Sequence, residues 1–232
     1  MDKIICIIIC FFTIILFKII FKANYKKAKE LEENKKLQKI TDKFPENIEI
    51  AKEMLEILDN KDVKIEEAKN TKTSLYIAVT NKISIADLKD NYGRIQTIAH
   101  ECIHSVQDRT LLMFNFIFSN IVIFYYIVVL ALTIFNVFTN VILQAFILLL
   151  ICFIQFAVRA YLEIDAMTKS KYLAKEYIEK KNLCTKEELD LLITEYDKIN
   201  KIGILFMLYY LMTNGLIKII VYIIITIILK LM

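Results

Sequence analysis

The sequence predicts a mainly α-helical membrane protein, with four membrane-spanning helices and a small water-exposed domain that contains a short strand. Hydrophobic residues make up 57% of the 232 residues, and the mean hydropathy of +0.49 is far above that of a soluble domain. Only 3 Gly and 1 Pro are present, which excludes collagen-like and β-rich chains. Charged residues are nearly absent from long blocks of the chain, so these blocks are suited to the interior of a bilayer.

The first apolar block covers residues 4–21 and contains a single charge, Lys18. A lysine near a helix end can extend its stem so that the ammonium group reaches the membrane surface. Lys3 before the block would also fit a signal peptide, but no cleavage site with small residues follows. We therefore expect an uncleaved transmembrane anchor over residues 1–21.

A run of 49 residues, from Thr110 to Val158, contains no charged residue. Because a spanning helix needs about 20 residues, this run predicts a transmembrane hairpin of two helices over residues 110–158. The turn is expected at a polar cluster near its middle, namely Asn136, Thr139 and Asn140. The last apolar block, residues 203–232, predicts a C-terminal transmembrane helix that includes Leu216–Leu231.

Four spans would leave two segments, residues 22–109 and residues 159–202, on the same side of the membrane. Eight lysines lie between Lys22 and Lys43, after the first span, whereas Lys3 alone precedes it. Lysine and arginine close to membrane spans favour the cytoplasmic side. The sequence therefore predicts that both segments are cytoplasmic and that both termini lie outside.

The first of these segments predicts three helices and a strand. A charged helical stretch covers residues 26–43 and is broken at Pro45. Apolar residues at helical spacing predict an amphipathic helix over residues 46–60. Residues 73–80 are rich in β-branched and aromatic side chains and predict a short strand, and a helical pattern returns over residues 95–108.

The second segment predicts a pair of charged helices, over residues 169–181 and residues 186–198. Thr185 followed by Glu188 matches the spacing of a capping box at the start of the second helix. We expect these helices to expose polar faces to water.

The only two histidines of the chain, His100 and His104, are four residues apart, and Glu101 follows the first. Residues at i and i+4 share one face of a helix, so both imidazoles can reach one metal ion. Glu101 is rotated by about 100° from His100, which suits a general base that acts on water at the metal. This HExxH pattern predicts a zinc site.

A catalytic zinc needs a third protein ligand and an open position. Since no histidine remains, this ligand must be a carboxylate or a cysteine. Arg109 is the last charged residue before the predicted hairpin and Arg159 is the first after it, so the hairpin would return the chain to the motif. Glu163 and Asp165 lie there and are the acidic candidates.

The chain resembles the YugP-type membrane zinc metallopeptidases. Residues 99–107 (AHECIHSVQ) are similar to that family's AHEVGHAIQ, and residues 163–166 (EIDA) are similar to its E-x-D-A. The anchor, the strand Leu75–Val79 and the apolar hairpin match the family's order. A weaker similarity links the chain to HtpX-like peptidases, which share the anchor, the HExxH helix, the hairpin and a later glutamate.

The resemblance implies a zincin-like domain in which His100, His104 and Glu163 bind Zn²⁺. It also implies that Glu101 is the catalytic base and proton shuttle. The strand Leu75–Val79 would lie at the rim of the cleft, where an extended substrate could pair with it.

Five neighbouring residues extend or complicate this pattern. Ile103 replaces the family's usual glycine, and Cys102 points roughly 160° away from the histidine face, so it is not expected to bind the metal. Asp165 is either a residue that orients a ligand or a surface charge paired with Arg159 or Lys169. Asp108 and Gln107 lie four and three residues after His104, and each is either a partner of that imidazole or a structural residue.

These patterns predict a membrane-embedded, zinc-dependent endopeptidase that cleaves membrane-associated or membrane-proximal polypeptides. The alternative is a non-catalytic membrane scaffold or binding protein with a structural metal. We expect the protein in a bacterial cell membrane, with the lipid bilayer and a polypeptide substrate as partners. The net charge of +4 is small and no basic aromatic face is present, so no nucleic acid is expected.

Overall fold

The computed structural model describes residues 2–22, 34–68, 71, 73–135, 137 and 140–231. In this part of the chain seven helices and three strands occur. The helices are α1 (Asp2–Ile20), α2 (Lys35–Thr41), α3 (Asn47–Ile57), α4 (Arg94–Val106), α5 (Arg109–Ile134), α6 (Val141–Lys181) and α7 (Lys186–Leu231). The strands are β1 (Lys64–Ala68), β2 (Leu75–Ile77) and β3 (Lys82–Ala86).

Four helices are long and apolar enough to cross a membrane: α1, α5, α6 and α7. The predicted mainly helical architecture with four such helices is therefore confirmed. The chain folds into two compact units, each built from segments that are separated in the sequence. The first comprises Met1–Ala23, Phe114–Tyr161 and Leu205–Met232, and the second comprises Asn24–Met113 and Leu162–Ile204.

The first unit is helical and apolar. Its interior contains Val122, Leu148 and Tyr222, which are fully buried. Large apolar side chains also point outward, including Phe12, which is 66% exposed, and Phe124, which is 69% exposed. Outward-facing aromatic residues of this kind suit contact with lipid better than contact with water.

The second unit contains a three-stranded sheet in the order β1-β3-β2. The central strand β3 pairs with β1 in parallel and with β2 in antiparallel orientation. The sequence predicts one strand over residues 73–80, but β2 ends at Ile77 and a turn follows, in which the N–H of Thr80 donates to the carbonyl of Ile77. The single predicted strand is thus the short edge of a larger sheet.

The packing of α4 decides where its polar residues lie. Ile95, Ile98, Ala99 and Cys102 are fully buried, and their spacing of i, i+3, i+4 and i+7 forms the apolar stripe of an amphipathic helix. They belong to the same core as the buried residues of α3. Because this stripe fixes the helix against the core, His100 and His104 follow one another on an adjoining, half-buried face.

Side-chain caps define several helix ends. Asn34 accepts hydrogen bonds from the N–H groups of Lys36 and Leu37 at the start of α2. At the start of α7, the N–H of Thr185 donates to Glu188, whose own N–H donates to the Thr185 hydroxyl. This reciprocal pair confirms the predicted capping box.

Three sequence predictions need correction or lie outside the described residues. The helix predicted over residues 169–181 is the end of α6, which runs without a break from Val141, and the one over 186–198 is the start of α7. The predicted turn residues Asn136 and Thr139 lie outside the described residues, as does part of the stretch 26–43. Asn140 is described, and its side chain caps α6 by accepting a hydrogen bond from the N–H of Leu143.

Candidate metal centre

The two histidines of α4 direct the same ring nitrogen towards one point. The Nε2 atoms of His100 and His104 are 3.0 Å apart. Their rings are nearly perpendicular, with centroids separated by 4.6 Å and an interplanar angle of 89°. One helical turn between the residues produces this arrangement, as the i and i+4 spacing predicts.

Glu163 on α6 completes the cluster. Its Oε2 atom lies 3.4 Å from Nε2 of His100 and 3.8 Å from Nε2 of His104. The three residues each offer one ligand atom, and these atoms all lie within 4.8 Å of one another. Of the two acidic candidates that follow the hairpin, it is Glu163 that the structure brings to the imidazole pair.

The separations between these atoms match the size of a metal site. Atoms bound at about 2.0–2.1 Å to one tetrahedral ion lie about 3.4 Å from each other. The three separations in the cluster, 3.0, 3.4 and 3.8 Å, are centred on that value. The cluster of His100, His104 and Glu163 could therefore hold a metal ion.

Gln107 determines which nitrogen of His104 faces the cluster. Its amide nitrogen donates to the carbonyl oxygen of Leu162 and to Oδ2 of Asp165, both at 2.8 Å. These acceptors fix the orientation of the amide, so the atom 2.8 Å from Nδ1 of His104 is the amide oxygen Oε1. Because that oxygen can only accept, Nδ1 carries the proton, and a neutral His104 directs the lone pair of Nε2 into the cluster.

The lone pair of His104 Nε2 and the carboxylate of Glu163 are both acceptors, and Nε2 of His100 lies 3.0 Å and 3.4 Å from them. A cation among these atoms, or a proton carried by one of the imidazoles, satisfies the acceptors. Burial raises the pKa of Glu163, but hydrogen bonds and the proximity of His100 and His104 outweigh it and hold this pKa well below its usual range. The carboxylate is thus ionised, as a metal ligand must be.

His104 has the complementary shift. Burial lowers its pKa. The hydrogen bond to Glu163 and the negative charges of Glu101 and Glu163 raise this pKa by more than burial lowers it, so the net shift is upward. In the absence of metal, a proton can therefore take the place of the cation between His104 and Glu163. A metal ion must displace this proton in order to bind.

Glu101 lies beside the cluster on the buried side of α4. Its side chain is only 6% exposed, and its Oε2 accepts a hydrogen bond of 2.6 Å from the backbone N–H of Tyr76 on β2. Burial raises the pKa of this carboxyl group above its ordinary value, against the opposing effect of the two histidines. A raised pKa is the property that a carboxylate needs in order to accept a proton near neutral pH.

The other candidates from the sequence have distinct positions. Cys102 is fully buried and its Sγ lies 3.9 Å from the carbonyl oxygen of Ala51, so it belongs to the core. Asp165 forms the predicted ion pair with Lys169 at 2.7 Å and also accepts a hydrogen bond from Gln107. Asp108 does not contact His104. Its Oδ1 accepts from the N–H of Leu111 and caps the start of α5.

The sequence did not reveal two contacts of the site. Gln107 was recognised only by its spacing from His104, and its bridge to Asp165 depends on the return of α6 beside α4. The sequence does not indicate the contact of Tyr76 with Glu101, because the donor is a backbone N–H and any residue other than proline supplies one.

Comparisons of the chain with protein-family models, with curated proteins and with solved structures find no match.

Proposed function

We propose that the protein is a membrane-embedded zinc-dependent endopeptidase. The observation that carries this proposal is the convergence of three Lewis-basic atoms, from His100, His104 and Glu163, with the buried carboxylate of Glu101 beside them. Two imidazoles and one carboxylate form a ligand set that catalytic zinc uses, and this set leaves one coordination position open. Among the described residues, no cysteine and no second acidic group joins the cluster as a fourth ligand.

The roles of the residues follow from their positions. His100, His104 and Glu163 would hold the ion, and Gln107 would keep His104 in the tautomer that binds it. When bound, zinc supplies Lewis-acid chemistry that acidifies a water molecule and polarises the carbonyl group of a peptide. No other residue of the described site is needed to hold the ion.

Glu101 would move the proton. It removes a proton from the attacking water, whose oxygen bonds to the carbonyl carbon of the substrate. The same carboxyl group then gives that proton to the nitrogen of the scissile bond, which leaves as an amine when the C–N bond breaks. Both transfers require a carboxyl group with a pKa closer to neutrality than usual, which burial provides for Glu101.

Membrane-associated polypeptides are the proposed substrates. Helix α5 begins at Arg109, five residues after His104, and Glu163 follows the uncharged run that ends at Val158 by five residues. His104 is therefore joined by a short stretch of chain to α5, and Glu163 lies on α6 itself, shortly after its uncharged part. The lysines between Lys22 and Lys43 favour a cytoplasmic site. The resemblance to YugP-type peptidases supports the same assignment.

A cleavage assay with a matched pair of variants tests the proposal. The purified protein in detergent is loaded with one equivalent of zinc and incubated with a denatured protein mixture and with an extract of membrane proteins. Glu101→Gln should retain zinc and lose cleavage by at least a hundredfold, because an amide cannot accept the water proton. Glu56→Gln is the control, since Glu56 is an exposed carboxylate on α3.

The outcomes separate catalysis from a structural metal. Cleavage by the wild type and by Glu56→Gln, with loss in Glu101→Gln, supports the peptidase. Zinc bound by all three proteins without cleavage of either mixture would instead favour the membrane scaffold with a structural metal.

A further inference from the structure

Strand β2, at the edge of the sheet, contacts the proposed catalytic base Glu101 through a backbone N–H group. In the order β1-β3-β2, strand β2 has a neighbour on one side only. Along an antiparallel strand, one residue directs its N–H and C=O groups towards the partner strand, and the next residue directs them away from it. Tyr76 lies opposite Ile83, and its N–H donates to Oε2 of Glu101 at 2.6 Å. This N–H therefore belongs to the free edge of the sheet.

The strand that carries this donor is fixed at both ends. Before it, the hydroxyl group of Ser74 accepts a hydrogen bond of 3.0 Å from the N–H of Ala86 on β3. After it, the side chain of Asn81 accepts a hydrogen bond of 2.9 Å from the hydroxyl group of Tyr76, the middle residue of the strand. The position of the Tyr76 N–H is thus set by the sheet and not by a mobile side chain.

The acceptor has little freedom to find another partner. Glu101 is 6% exposed, so bulk water does not solvate its carboxylate as it would a surface residue. A charge-assisted hydrogen bond from a fixed amide is a strong constraint on the terminal torsion of such a side chain. The hydrogen bond from Tyr76 involves Oε2 of Glu101 and does not involve the other carboxylate oxygen, Oε1.

We propose that the backbone N–H of Tyr76 is a positioning group that holds the Glu101 carboxylate in the orientation from which it takes the proton of water. The proposal rests on the function of Glu101 as the base. Tyr76 touches neither the metal ligands nor the reacting atoms in this role, and it acts only through Glu101. Its side chain donates to Asn81, and its backbone amide donates to Glu101.

Hydrogen exchange tests the contact without any assay of activity. An edge-strand N–H that faces away from its partner strand exchanges rapidly unless another group accepts from it. In the zinc-loaded protein, residue-resolved exchange by NMR or fragmentation mass spectrometry should show a protected Tyr76 amide. Glu101→Ala should accelerate its exchange at least tenfold, while the amide of Ile83 in the buried central strand stays protected and confirms the fold.

Glu101→Gln is the second variant for this measurement. A neutral amide oxygen still accepts, but more weakly than a carboxylate, so its Tyr76 exchange rate should lie between those of the wild type and Glu101→Ala. A Tyr76 amide that exchanges equally fast in all three folded proteins would overturn the proposal.

Kinetics test the function of the contact. Tyr76→Pro removes the N–H, and proline is tolerated at an edge strand where the N–H faces away from the sheet. Tyr76→Ala removes the same ring but keeps the N–H. We expect kcat of Tyr76→Pro to be at least tenfold below that of Tyr76→Ala, with KM values within threefold and equal zinc content. Equal kcat values in the two variants would overturn the proposal.

The two experiments fail separately. If the wild-type protein cleaves nothing, the proposed function is wrong, and the exchange measurement still decides whether Tyr76 holds Glu101. A second case is that the wild type cleaves and Glu101→Gln does not, but Tyr76 exchange is unchanged by the Glu101 variants and kcat is equal in Tyr76→Pro and Tyr76→Ala. The peptidase function is then supported, and the positioning role of Tyr76 is wrong.

Discussion

Gln107 Oε1 accepts a hydrogen bond from Nδ1 of His104 at 2.8 Å, and the same amide donates to Asp165. The acidic residue that follows Glu163 by two positions therefore acts on His104 through an intervening amide. Such outer partners fix the tautomer and ring orientation of a metal-binding histidine.

Gln107→Leu should weaken zinc binding by about 10–100-fold, the usual effect of removing an outer partner of a metal-binding histidine. The leucine keeps much of the volume but releases Nδ1 of His104 from its acceptor. Competition with a chelator of known affinity measures the change. The control is Gln38→Leu, since Gln38 bonds to Asp42 and to the carbonyl of Lys89, away from the site. Equal affinity in the two variants would remove the role assigned to Gln107.

Glu163→Ala should have a larger effect than Asp165→Asn. Glu163 supplies a ligand atom, so its loss should reduce zinc affinity by more than a hundredfold, whereas Asp165 acts only through Gln107. Both variants are titrated with the same chelator at pH 7.5. Equal losses of affinity in Asp165→Asn and Glu163→Ala would contradict the different roles assigned to the two carboxylates.

Zinc affinity should fall as the pH is lowered, and the fall should begin above pH 6.5. The pKa of His104 is raised in the metal-free protein by the neighbouring carboxylates, so a proton competes for Nε2 at a higher pH than it does for free imidazole. The dissociation constant is measured between pH 6 and pH 9 at constant ionic strength. An affinity that is constant from pH 8 down to pH 6 would contradict the assigned environment of His104.

Arg94→Met should destabilise the second unit. Arg94 is 3% exposed, and its guanidinium group donates to the carbonyl groups of Thr41, Phe44 and Pro45 and to the side chain of Asn47. Its removal leaves buried acceptors without donors, at a cost of about 3 kcal/mol. Thermal unfolding of the zinc-loaded protein in detergent should show a clear decrease in the midpoint.

Lys89→Met provides the comparison for Arg94. Lys89 pairs with Glu46 at 2.9 Å, but both side chains are largely exposed, and surface pairs contribute little to stability. Its thermal midpoint should remain that of the wild type. Equal decreases in the two variants would mean that the buried arginine has no special part in the fold.

The sequence predicted those features of the fold that depend on local periodicity. The uncharged blocks indicated four long apolar helices, and the spacing of His100 and His104 indicated one shared helical face. The residues alone left Glu163 and Asp165 as acidic candidates after the hairpin, and the resemblance to the YugP-type family implied Glu163. The packing of α6 beside α4 is what brings Glu163 to the imidazole pair, and local patterns do not contain such tertiary structure.

Strands β1 and β3 were missed for physical reasons. Residues 64–68 (KIEEA) contain lysine and glutamate, which favour helices, and they form a strand because β3 lies beside them. The sequence does not reveal the length of α6 and α7, because each helix continues through a change from apolar to charged composition. A continuous helix can cross that change without a break, since its backbone hydrogen bonds do not depend on side-chain polarity.

X-ray absorption at the zinc edge of the purified protein tests the three-ligand centre most directly. We expect one zinc per chain, with two imidazole groups and oxygen ligands at about 2.0–2.2 Å and no sulfur. We also expect the loss of one imidazole signal, or of the bound zinc, in His104→Ala. A sulfur ligand at about 2.3 Å, or a wild-type protein that holds no stoichiometric zinc, would contradict the proposed centre.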